Sequence, residues 1–101
     1  MASRLELQAL LEKIMGNRNV YFQPPSTLRM KYPAIRYELE SIENIHADNA
    51  VYTQHNSYKI TLIDEDPDSE YVVAISRLPK CRFNTSYPAD GLNHWVFRLY
   101  F

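Results

Sequence analysis

The chain has 101 residues, enough for one domain and too few for two. Apolar residues make up 46% of it and glycine occurs only twice, which excludes disorder of the whole chain. Eleven basic residues against twelve acidic ones leave a formal charge of −1, without the basic excess that a direct nucleic-acid binder uses to neutralise phosphates.

Cys81 is the single cysteine, so no internal disulfide can form, and the expectation is folding in a reducing cytoplasm. No apolar run approaches the roughly 20 residues that a membrane helix needs. Met1 to Glu6 carries no apolar signal core, so synthesis and folding in the cytosol are expected.

The first predicted element is a helix over 3–15. Ser3 and Glu6 have capping-box spacing, Leu7, Leu10, Leu11 and Ile14 form an apolar stripe, and Gly16 supplies a left-handed stop. Asn19 to Phe22 is a short β-rich run. Pro24, Pro25 and Pro33 then punctuate an irregular stretch, because proline removes amide donors. Ala34 to Glu40 alternates as a strand, with Ile35, Tyr37 and Leu39 on one face and Arg36 and Glu38 on the other.

Ser41 to Asn49 is polar apart from Ile42 and Ile45 and reads as a long projecting loop. A strand follows over 50–63, with Tyr58, Ile60 and Leu62 on one face; its polar first half extends beyond the core. Asp66 and Pro67 predict the start of a second helix, with Asp68 and Glu70 in its first turn. That helix buries Val72, Ile75 and Leu78, and Pro79 ends it. Cys81, Phe83, Thr85 and Tyr87 alternate in a further strand, Pro88 to Gly91 forms a turn, and a last strand runs from Leu92 to Phe101. The expected fold is α+β in the order α-β-β-β-α-β-β, an antiparallel sheet with both helices on one face.

Candidate chemistry is sparse. Asp64, Asp66 and Asp68 open like a calcium loop, but Ser69 and Ile75 stand where glycine and a closing glutamate are needed, which leaves an acid-dressed helix start. His46, Asp48 and His55 match no recognised ligand spacing. Cys81 shares its parity with Phe83 and reads as a small hydrophobe, and His94 reads as an edge or interface residue. No nucleophile elbow, phosphate loop or dinucleotide fingerprint occurs. The expectation is no enzyme activity, no metal and no cofactor. Eight tyrosines stand out, many expected on an outer face suited to an interface.

The runs Arg18 to Pro25, Met30 to Ile35, Tyr58 to Ser69 and Asn93 to Tyr100 resemble small proteins of the head–tail morphogenesis region of tailed phages. The element order is similar to that of tail-terminator, or tail-completion, proteins. The resemblance implies a virion protein, assembled in the host cytoplasm, that forms a hexameric homo-oligomeric ring. Its partners would be the tail tube protein and the head–tail connector or stopper, with DNA only passing through the ring lumen and no membrane involved. Another neck component (stopper, adaptor or minor capsid protein) or a small regulatory binding module is the alternative. No family site residue carries over. The candidate interface residues are Ile42, Ile45, His46, Tyr52, His55, Trp95, Tyr100 and Phe101.

Overall fold

The computed structural model describes residues 4–17, 19–25, 28–47 and 50–101, without the side chains of residues 43, 45–47 and 50–55. The first helix, α1, spans Arg4–Met15 and buries Leu7, Leu11 and Met15, the helical-spacing face that its sequence marks out. Gly16 stops it at a φ of 71° while its N–H donates to the Glu12 carbonyl at 2.9 Å. The predicted capping residue Ser3 lies outside the described residues.

Five strands form one sheet in the order β1-β2-β3-β5-β4. They are β1 (Val20–Phe22), β2 (Ala34–Ala47), β3 (Ala50–Asp64), β4 (Cys81–Ala89) and β5 (Leu92–Tyr100). A short second helix, α2, spans Tyr71–Ser76 between β3 and β4. The fold is α+β, as expected. The sheet is mixed, however: β1 pairs parallel to β2 while the other three pairings are antiparallel.

The register sets the two faces. Ile35 lies opposite Leu62 and Tyr37 opposite Ile60; Ile60 in turn faces Phe97, and Tyr58 faces Leu99. These residues share one buried cluster with Leu7, Leu11, Met15 and Ile75, so both helices cover the same side of the sheet. Full burial of Phe97 and Leu11 stabilises by about 2–3 kcal/mol each relative to exposure. At the start of α1, the Tyr37 hydroxyl donates to Gln8 Oε1, and Gln8 Nε2 donates to the Val20 carbonyl at 3.0 Å. The Arg4 guanidinium sits 4.5 Å from the Phe22 ring centre. This polar lock ties α1 to β1 and β2.

Five expectations need correction. Residues 41–47 are not a loop but the second half of β2, paired with β3; Asp48 and Asn49, the rest of the expected loop, lie outside the described residues. The second helix starts at Tyr71 and not near Asp66. The Asp64 carboxylate accepts from the Asp66 N–H at 3.1 Å, and the Asp66 carboxylate accepts from the Asp68 N–H at 2.9 Å. Consecutive Asx turns of this kind compete with helical bonding and delay the helix.

The parity of β4 also breaks. Phe83 faces Phe97, yet Thr85 faces Val96, so Asn84 is an extra bulged residue. Cys81 and Phe83 point to the helix side while Thr85 and Tyr87 point away from it. Finally, Tyr37 and Tyr58 belong to the core, at 0% and 5% exposure, so these two tyrosines offer nothing to an outer face. His94 is no edge residue either, because β5 lies between β3 and β4.

Candidate assembly surface

β2 and β3 pair from Ala34 opposite Ile63 to Ala47 opposite Ala50. Their neighbours stop much earlier. β1 accompanies β2 only from Ile35 to Tyr37, and β5 accompanies β3 only as far as Ser57 opposite Tyr100. From Ser41 and Ser57 outward the two strands therefore run as a two-stranded arm, about 20 Å long at about 3.3 Å per residue. The long axis of the molecule, 51 Å against 26 and 23 Å, reflects it.

The root of the arm is a bulge at Glu40, where the register shifts between Leu39 and Ser41. The Glu40 carboxylate takes a two-pronged bond from Arg98 of β5, with Nη2 at 2.6 Å and Nε at 3.1 Å. These bonds from Arg98 hold the Glu40 carboxyl below the usual carboxylate range. The pair spans β3 and fixes the bulge to the body.

The extra residue also resets the side-chain phase. Leu39 lies opposite Tyr58 on the helix side, and Ile42, opposite Asn56, returns to that same side. The Phe101 N–H donates to the Asn56 carbonyl at 3.0 Å, so the chain's last residue sits against the arm's root. Ile42 is 51% exposed there and Leu39 is 39% exposed.

Beside this root lies an apolar hollow of about 320 Å³. Leu10 of α1, Leu78 and Pro79 after α2, and Leu99 and Phe101 line it, with Lys80 among them. A second hollow of about 260 Å³ lies on the opposite sheet face between Arg36, Glu38, Lys59 and Thr61 on one side and Tyr87 and His94 on the other. There Lys59 Nζ stands 4.0 Å from Glu38, and Tyr87 stacks on His94 with ring centres 4.8 Å apart.

Burial pushes the Cys81 thiol above its ordinary value, the opposite of activation. Asp64 and Asp66 spend carboxylate oxygens on their own backbone. Among the described residues no group of three or more His, Cys, Asp and Glu converges to hold a metal, and no helix is long and apolar enough to cross a membrane.

Of the candidate interface residues, Ile42 stands exposed on the arm. Strand pairing places Ile45, His46 and His55 on the arm's backbone, and Tyr52 at its second register shift; their side chains lie outside the description. Asp48 lies outside the described residues. Trp95 and Phe101 pack in part against the core, and Tyr100 is half-buried at the end of β5. The hollow-lining Leu10, Leu78 and Pro79 were legible only as helix-stripe and helix-end residues. The Glu40–Arg98 pair, 58 positions apart in sequence, has no local signal at all. No protein-family model matches the chain, and no curated protein matches it.

Proposed function

We propose that this chain is a structural subunit of the head–tail junction of a tailed phage, one that forms a hexameric ring, terminates the tail tube and receives the head connector. The observation that carries the assembly part of this reading is the two-stranded arm that continues beyond the sheet. An isolated two-stranded hairpin is marginally stable in water, so an arm of this length serves to lie against another surface. A ring needs one patch of each copy to meet a different patch on the next, and an arm at one place and a hollow at another satisfy that rule. The sequence resemblance supplies the phage setting, the tail tube and connector as partners, and a lumen through which DNA passes.

The test is a phage carrying Ile42→Ser together with Ile45→Ser in this chain. Electron micrographs of the lysate should show filled heads and unjoined tails, with the chain still folded and abundant. Normal virions from the double variant, or virions in which the chain sits as an isolated single copy, would remove the reading.

A further inference from the structure

We infer that the hollow on the sheet face away from the helices binds a small molecule made of a planar ring and a phosphate group, the chemistry of a nucleoside monophosphate. Its volume, about 260 Å³, is at the small end of the range for small-molecule pockets. Among the described residues it shares no lining with the apolar hollow or the arm. The register builds it in rows. Ala34, Ile63, His94 and Tyr87 lie side by side across β2, β3, β5 and β4; Arg36, Thr61, Val96 and Thr85 form the next row, and Glu38, Lys59 and Arg98 the third. Ile63 and Thr61, at 4% and 9% exposure, make the floor. The segment ahead of β2 brings Tyr32 to one border, and the β4–β5 hairpin brings Tyr87 and Asp90 to another.

Ring surface gathers at one end and positive charge at the other. Tyr87 stacks on His94 with the two planes 9° from parallel, and Tyr87 and Tyr32 are 46% and 39% exposed. Accessible ring surface therefore remains, on which a ligand ring extends the stack. In the next rows stand Arg36 and Lys59. Arg36 has no ion-pair partner among the described residues, and Lys59 is held by Glu38 only at 4.0 Å, with both side chains nearly half-exposed. Such a pair is weak, so both cations can turn to an anion, and the fork of Arg36 matches a phosphate. Successive rows are about 7 Å apart, a span that one nucleotide covers. Asp90 lies at the ring end, away from the cations, where it offers acceptors to an amino group on the ring. The chain's charge of −1 opposes a long polyanion but not a single phosphate.

Two-dimensional amide NMR spectra of the purified chain, titrated with adenosine monophosphate to about 10 mM, test this. The amides of Arg36, Thr61, Tyr87 and His94 should shift together and saturate, with a Kd of about 1 mM or tighter, while those of Leu10 and Leu78 stay in place. Adenosine alone and inorganic phosphate alone should each bind at least about tenfold more weakly, since each fills only one end. Tyr87→Leu removes a ring and Arg36→Gln a cation, with Lys59→Gln as a second cation variant. All three positions are exposed, so the variants should keep the wild-type circular dichroism.

Tyr87→Leu and Arg36→Gln should each weaken binding about tenfold, and Tyr87→Phe, which keeps the ring, should bind like wild type. No saturable shift at about 10 mM, shifts centred elsewhere, or either variant binding like wild type overturns the inference. So does inorganic phosphate binding as tightly as the nucleotide, which would mark a plain anion site. A short oligodeoxyadenylate that binds where the mononucleotide does not would mark a nucleic-acid groove and overturn it as well.

Discussion

From Ile35 to Tyr37, β2 lies beneath two helices and between two strands. From Ser41 to Ala47 the same strand has β3 beside it and, among the described residues, no other element. The backbone pairing continues across the boundary, yet the side chains follow different rules. In the inner half Ile35 and Tyr37 are wholly buried; in the outer half Ile42 is half-exposed. Backbone pairing carries the ribbon outward, while burial holds the inner half. The inner half is a core strand; the outer half is a paired ribbon over which, among the described residues, no second layer lies.

The comparison can be broken most forcefully from the inside. Phe97→Ala, opposite Ile60 and beneath the helices, should cost about 3–5 kcal/mol in urea unfolding, because a ring-sized cavity opens in the one core. A loss below about 1 kcal/mol would mean that the inner half is not held by packing.

Tyr37→Phe should cost less, about 1 kcal/mol, through loss of the hydroxyl bonds to Gln8 and Arg4. It should also change the alkaline limb of stability. Burial raises the Tyr37 hydroxyl above the ordinary tyrosine value of about 10. The stability linked to its proton is therefore fully present below pH of about 10 and is lost as pH rises through the higher folded value. The phenylalanine variant should lose less stability than wild type over that window.

Ile42→Ser, in the outer half, should move monomer stability by no more than about 0.5 kcal/mol while weakening self-association. If it unfolds the monomer, the two halves are one core after all.

The smallest effect belongs to the boundary itself. Glu40 has a lowered folded-state value because Arg98 bonds to it. Its contribution is present above the ordinary carboxylate value, about 4.3, and is lost as pH falls through the lower folded one. Glu40→Gln should flatten the stability profile below pH of about 4, and hydrogen exchange at Ser41 to Ile42 should become faster while core amides stay unchanged.

The inner half was readable from sequence and the outer half was not. Leu7 and Leu11, and Ile35, Tyr37, Ile60 and Leu62, show their periods because each is pressed against a core that selects for apolar groups at fixed spacing. A strand with no layer over it has no such constraint, so residues 41–47 read as loop. The Glu40 bulge hid the continuation further, because it puts Ile42 out of phase with Leu39 in the sequence while returning it to the same face in space. Asn84 does the converse in β4, where an unbroken alternation from Cys81 to Tyr87 is split between two faces. The Asp64–Asp68 run carried a genuine capping signal that its own side chains then spent on turns. The hollow escaped notice because its lining comes from α1, from the segment after α2 and from the end of β5, which sequence distance keeps apart.

The bulge at Asn84 has a consequence for solubility. β4 is the outermost strand, nine residues long and exposed from Arg82 to Pro88, and a flat edge of that length is a template for uncontrolled strand addition and fibre growth. The extra residue kinks the template near its middle, Pro88 withholds an amide donor near one end, and Arg82 places a charge near the other. Along β4 no stretch of flat, fully donating edge remains that is long enough to seed a cross-β stack. The β4 edge is thereby kept from zipping onto another sheet when the chain is crowded.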